Sequence, residues 1–191
     1  GNGARIAATQ RINSAGSLVQ SQNPLDMAIN GNGYFAVSTP TGVAYTRAGN
    51  FMRNDKGQIV TASGNVLLGQ SSISSGNANA AGIVIPSKAT TVAIGTDGTV
   101  SYNLADATAP TQADQIAMIN FVNPTGLASA GGGLYYETMS SGEAQIGVAG
   151  KEGFGSITQY YTEQSNVNVA EELVSLIAAQ RAYEITAKSV S

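Results

Sequence analysis

Side chains able to carry covalent or acid–base chemistry are few in this chain, and their spacing matches no catalytic pattern. His and Cys are both absent from the 191 residues, which removes His-based triads, thiolate nucleophiles, disulfides and Cys/His zinc sites together. Glycoside hydrolysis needs two carboxylates facing one cleft. The pairs on offer are Asp26 with Asp55 and Asp97 with Asp106, but each residue lies in a turn, where Asp serves backbone hydrogen bonding. Ser87 and Lys88 are adjacent rather than three apart, as a Ser/Lys nucleophile motif requires. Asp and Asn around Gly at 26–33 and 96–98 invite a calcium reading. It fails because Ala28 stands where an EF-type loop should open and no Glu closes it near residue 39. Gly31-Asn32-Gly33 leads into a β-type run instead of a helix, so it is no phosphate loop. The reading is of a chain that is not an enzyme and uses no cofactor or metal.

The same Asx and Gly residues make good sense as turns. Asn30-Gly31-Asn32-Gly33 precedes Tyr34-Phe35-Ala36-Val37, and Pro40-Thr41-Gly42 precedes Val43-Ala44-Tyr45-Thr46. Asn54-Asp55-Lys56-Gly57 separates Phe51-Met52-Arg53 from Gln58-Ile59-Val60-Thr61, and Ser63-Gly64-Asn65 precedes Val66-Leu67-Leu68. Asn and Gly accept positive φ at little cost and suit the tight turns of antiparallel hairpins. Further strands are expected at 83–85, 91–94, 99–104, 115–122, 134–138 and 155–161, with Thr96-Asp97-Gly98 and Asn123-Pro124-Thr125-Gly126 as turns. Residues 69–82, rich in Ser, Gly and Ala, read as an exposed loop or subdomain junction.

Residues 166–191 differ in period. Val169, Leu173, Leu176, Gln180, Tyr183, Ala187 and Val190 recur at alternating steps of four and three, the seam of a coiled coil. Asn168 is placed to cap the first turn, with Glu171 three residues later as in a capping box. Glu184 precedes Lys188 at the favourable four-residue spacing. The spacing predicts a long C-terminal α-helix whose apolar stripe needs another helix to cover it, and the β-rich remainder offers none.

Composition narrows the partners. Only 11% of residues are charged, well below the usual quarter, as in secreted and assembly proteins whose surfaces meet neighbours. Residues 1–88 carry six basic and two acidic side chains (+4), whereas 89–191 carry three basic and ten acidic ones (−7). Halves of opposite sign favour head-to-tail contacts between copies. No basic cluster interleaved with aromatics is present, so no nucleic-acid partner is expected. Residues 57–87 are uncharged, but Gly, Ser, Asn and Gln run through them and argue against membrane insertion. The chain opens at Gly1 in a loop-like stretch and is expected to be a piece of a longer protein, with any targeting signal upstream of it.

Four strings in order are more specific than composition. They are Asn23-Pro24-Leu25-Asp26-Met27-Ala28-Ile29-Asn30-Gly31-Asn32-Gly33-Tyr34-Phe35, Ala44-Tyr45-Thr46-Arg47-Ala48-Gly49-Asn50-Phe51, Gly57-Gln58-Ile59-Val60-Thr61-Ala62-Ser63-Gly64, and Ser165-Asn166-Val167-Asn168-Val169-Ala170-Glu171-Glu172-Leu173 with Gln180-Arg181-Ala182-Tyr183-Glu184. Together they resemble the bacterial flagellar rod and hook family. The resemblance covers residues 9 to 188, and Asn32 stands where relatives often have Asp. It implies a structural, self-assembling subunit of the flagellar basal body that transmits torque to the hook. It also implies terminal helices paired in the inner layer of a tube, a β-rich outer domain, and type III export into a periplasm-crossing rod. The implied partners are further copies, other rod proteins and the hook protein, with surrounding rings as candidates. The short stretch from Gly69 to Gly133 leaves little room for an added outer domain and favours a rod over a hook subunit. The 169–173 and 180–184 strings favour the distal part of the rod.

The expected architecture is therefore mainly β, an antiparallel domain of hairpins followed by a long C-terminal α-helix. The β-rich outer domain is placed at 1–162, with a possible junction at 69–82, and the helix at 163–191. The helix of the inner layer is expected to be cut short at Ser191, and its N-terminal partner to lie before Gly1. A secreted β-rich adhesin or polysaccharide-binding protein, with the helix as a private cap, is the competing reading.

Overall fold

In the computed structural model, residues 17–74 and 81–164 are described. Among the described residues sixteen short strands are formed, and the compact unit Leu18–Glu163 contains all of them. The strands are β1 (Leu18–Gln20), β2 (Met27–Asn30), β3 (Tyr34–Thr39), β4 (Gly42–Thr46), β5 (Met52–Arg53), β6 (Ile59–Val60), β7 (Val66–Leu67) and β8 (Ala89–Ile94). They continue with β9 (Thr99–Leu104), β10 (Thr111–Gln115), β11 (Met118–Asn120), β12 (Ala128–Gly131), β13 (Leu134–Tyr136), β14 (Gln145–Gly147), β15 (Ser156–Gln159) and β16 (Tyr161–Glu163).

The largest sheet runs β12-β13-β4-β3-β7-β6-β5, and β11 joins it by pairing with both β3 and β14. A second sheet is the meander β10-β9-β8, and β1-β16 and β2-β15 form two further antiparallel pairs. The run Tyr34-Phe35-Ala36-Val37 is buried throughout because β3 is central and covered on both faces, and a strand so placed loses the apolar–polar alternation of a half-exposed one. Phe35 and Val37 point into a large cluster with Met27, Ile29, Phe51 and Ile116. Tyr34 and Ala36 point the other way, into a smaller cluster with Tyr45, Leu68, Ile119 and Phe121. Edge-on ring contacts tie both faces: Phe35 to Phe51 at 5.2 Å and Tyr45 to Phe121 at 5.0 Å between centroids. Such contacts contribute about 1 kcal/mol each beyond burial.

The hairpins β3-β4, β5-β6, β6-β7 and, across Thr96-Asp97-Gly98, β8-β9 form as the turn residues predict, whereas Asn30–Gly33 turns the chain from β2 into β3 without pairing them, β2 being taken by β15. Elsewhere the structure differs. Residues 83–85 form no strand; a single bridge joins Gln58 and Val84, while Ile83 and Ile85 are fully buried on either side of it. The expected strand 115–122 divides into β10 and β11, and β1, β12 and β14 were not foreseen.

Two larger corrections concern helices. The long C-terminal α-helix is not an element of the structure: among the described residues the α-helix is the short α1 (Gln70–Ser74), joined by a 3₁₀ turn at Pro124–Gly126. Residues 165–191, on which the expectation fell, lie outside the described residues. The physical gap in that expectation is that a helix draws most of its stability from packing its apolar face, and periodicity alone supplied no surface for it to pack on. The second correction is α1 itself, which forms at the start of the expected 69–82 loop. Ser71 donates its hydroxyl to Asp114 at 2.6 Å, Gln70 donates to the Gly147 carbonyl at 2.7 Å, and Gly69 is bridged to Ile116. These bonds come from polar residues that a reading by hydropathy discards.

Candidate assembly site

The chain enters and leaves the β-rich unit side by side. β1 and β16 pair antiparallel, Leu18 opposite Glu163, Val19 opposite Thr162 and Gln20 opposite Tyr161. The ladder extends at both ends, with Gln164 N–H donating to Ser17 O at 2.6 Å and Ser21 N–H to Tyr160 O at 2.7 Å. Tyr160 then donates its own N–H to Asp26 O at 2.8 Å, so the ribbon is continuous with the β2-β15 pair. The hand-over takes place at Tyr160, which has φ of 70°, a left-handed conformation unusual for a bulky side chain.

Arg47 fastens the root of this ribbon. Its Nε donates to Glu163 Oε1 at 2.9 Å, and its two terminal nitrogens donate to Gly33 O at 2.7 Å and Ile29 O at 3.1 Å. One guanidinium thus holds β16, β2 and the turn before β3 together. Both side chains of the ion pair are largely buried, 12% and 9% exposed, where a planar five-donor fork suits the task better than an ammonium would. Burial pushes the nearby Tyr34 hydroxyl above its usual range, an effect the Arg47 charge partly opposes.

The quoted strings hold this root in place. Asn23 accepts from Leu25 N–H, and its amide donates to Asp26 and to Phe51 O. Ser21 donates to the other Asp26 oxygen at 2.5 Å. Asp26, weighed above as a catalytic carboxylate, is therefore a turn anchor. Asp97 is another: its carboxylate accepts from Thr99 N–H, the main cause of a pKa held below the ordinary value. Gly49 is required for a different reason, since a Cβ there would overlap the Met27 carbonyl, to which the chain runs hard by.

Val169, Leu173, Leu176, Gln180, Tyr183, Ala187 and Val190, with Asn168 and Glu171, all lie outside the described residues. Sequence reasoning missed the Arg47–Glu163 pair. The available signal was a lone Arg inside an otherwise uncharged apolar stretch, where a charge without a partner would be costly.

Two family models match the chain: the flagellar hook protein FlgE/F/G D1 domain over residues 28–102 and the flagellar basal body rod FlgEFG protein C-terminal region over 158–191. The flagellar basal-body rod protein FlgG of Buchnera aphidicola (subspecies of Acyrthosiphon pisum) is 43% identical over the whole chain, which spans 69% of that relative. The chain belongs to the flagellar rod and hook family. The Caulobacter vibrioides and Bacillus subtilis FlgG proteins are 41% and 36% identical, again over the whole chain and 69% of each. The Escherichia coli hook protein FlgE matches 51% of the chain at 43% identity, and the match spans 24% of that relative. This family member is a structural subunit of the flagellar basal-body rod and is located in the basal body. The adhesin reading has no support among these relatives. The E. coli hook protein, matched over half the chain, shows that the shared part is not confined to rod subunits.

Proposed function

We propose that the chain acts by self-assembly, without catalysis, as a subunit of the distal part of a tubular rod that carries torque toward the hook. The antiparallel closure of β1 on β16 carries this reading, because it delivers both ends of the β-rich unit to one place. A domain joined to a shaft through two adjacent strands resists torsion better than one hung on a single linker. The neighbours are further copies of the chain, other rod proteins and the hook protein, and the route out of the cell is the flagellar type III apparatus. The side chains of Val169, Leu173, Leu176, Gln180, Tyr183, Ala187 and Val190, apolar apart from the amide of Gln180, are proposed as assembly contacts, with Asn168 and Glu171 marking the start of that segment. Burying Leu173 or Leu176 in an assembly would contribute about 1.5–3 kcal/mol each, multiplied around the tube.

The test is the double change Leu173→Asp with Leu176→Asp in the gene as the cell carries it. Basal bodies without a complete rod, and loss of motility, are expected while the β-rich unit keeps its circular dichroism. Normal rods containing the altered protein would overturn the proposal.

A further inference from the structure

Val122 and Met139 are 79% and 102% exposed, large apolar side chains held in open solvent. They stand on a rigid platform built from two loops, 121–127 and 137–144. Asn123 N–H donates to Ser141 O at 3.1 Å and the Asn123 amide to Ser140 O at 3.0 Å, while Thr138 Oγ1 donates to Gly126 O at 2.5 Å. The Ser141 hydroxyl, fully buried, accepts from Thr138 N–H and donates to its carbonyl. The two loops approach so closely at Gly126 that a Cβ there would meet the Ser140–Ser141 backbone at 2.6 Å. These bonds hold the two loops in one arrangement, and preorganised apolar anchors are what a binding surface requires.

The matching concavity lies on the other face of the main sheet. The platform covers the cluster of Tyr34, Tyr45 and Phe121, to which Leu127 and Ala144 belong. A groove of about 380 Å³, lined by Pro24, Leu25, Arg53, Thr90 and Val92 among others, borders the opposite cluster. Its volume is at the low end of small-ligand sites and suits one or two aliphatic side chains. Charge agrees with shape. Glu137 and Glu143 are exposed on the platform, with no basic residue between Phe121 and Gly150, whereas the exposed Arg53 lines the groove and the exposed Lys88 directly precedes its lining residue Ala89.

We propose that the Val122–Met139 platform of one copy docks in the Pro24–Val92 groove of a second copy of this chain. The inference rests on the rod reading above and gives it a lateral contact. Because the two surfaces differ, the contact is head-to-tail and does not close on itself as a two-fold pair does, so it can be repeated from copy to copy, into an open helical polymer where successive rotations do not close a ring.

The absence of Cys from the chain makes a crosslinking test clean. Basal bodies carrying Met139→Cys with Thr90→Cys should give, on treatment with a short bis-maleimide, a ladder of dimers, trimers and longer species. Each single variant should remain monomeric. In parallel, Glu137→Lys with Glu143→Lys should reduce rod number about tenfold through like-charge juxtaposition, and adding Arg53→Glu with Lys88→Glu should restore it. Rods that contain the double-Cys chain but yield only monomers would overturn the docking and leave the rod reading intact. Dimers from Met139→Cys alone, or a charge swap without rescue, would overturn it as well. The rod reading itself fails separately, if the unaltered chain is missing from isolated basal bodies.

Discussion

At the scale of single residues, Arg47 serves three acceptors at once: the Glu163 carboxylate and the carbonyls of Gly33 and Ile29. Arg47→Met removes all three bonds and the guanidinium charge from a mostly buried Glu163. A loss of about 3–5 kcal/mol is expected in urea unfolding. The double variant Arg47→Met with Glu163→Leu should recover much of it, since the larger part of the cost is a buried charge without its counter-ion. Gly49→Ala should cost several kcal/mol, about as much as severe overpacking, because backbone and not a flexible side chain occupies the space. Tyr45 gives a pH signature. Burial first, and the Glu137 charge second, push its hydroxyl up to about 12. The unfolded chain ionises near the ordinary tyrosine value of 10.0, so stability from this group is whole below that pH and is lost as pH rises toward about 12. Tyr45→Phe should flatten that alkaline decline in a series of urea titrations, leaving the part due to Tyr34.

At the scale of elements, the ribbon β1-β16 is an exposed pairing: Leu18 and Val19 are 37% and 44% accessible, and two strands alone are marginal in water. Its stability comes from continuity with β2-β15 through Tyr160 and from the Arg47 anchor. In an antiparallel ladder bonded pairs alternate, and the bonds at Ser17–Gln164 and Ser21–Tyr160 place Val19–Thr162 among them. Thr162→Pro should therefore remove one ladder bond, worth about 1 kcal/mol. Amide exchange should quicken in β1 while the β3 amides keep their protection. Faster exchange throughout the domain would show that the ribbon is not a separate local unit. The helix α1 teaches the complementary point. Its five residues, Gln70-Ser71-Ser72-Ile73-Ser74, have no helical apolar pattern, and the partners that order the segment, Asp114 and Gly147, lie more than forty residues away in sequence.

At the scale of the molecule, the unit Leu18–Glu163 holds both apolar clusters and has adjacent ends, which are the properties of a domain able to fold by itself. The fragment 18–163 is expected to unfold in one cooperative transition. Coincident melting by far-ultraviolet circular dichroism and tyrosine fluorescence checks this; two separated transitions would refute it. Self-assembly then adds contacts to a domain already formed. That explains how a chain with so few charges keeps both apolar clusters internal while leaving Val122 and Met139 outside.

The hairpins β3-β4, β5-β6 and β6-β7, their turns and the family membership were legible in the sequence, whereas β2, expected to open the same meander, pairs with the distant β15. Asx-Gly turns and β-type runs act over a few residues, and the quoted strings mark positions where local geometry admits little substitution. The absence of His and Cys excluded whole classes of chemistry without any coordinates. Tertiary structure alone decided the rest, because the deciding contacts join distant parts of the chain. Arg47 meets Glu163 across 116 positions and Gln70 meets Gly147 across 77, and no local pattern encodes such pairs. The C-terminal period likewise described one face and not what covers it. A helix or strand face has a pattern of its own, but its energy belongs to the surface it is buried against.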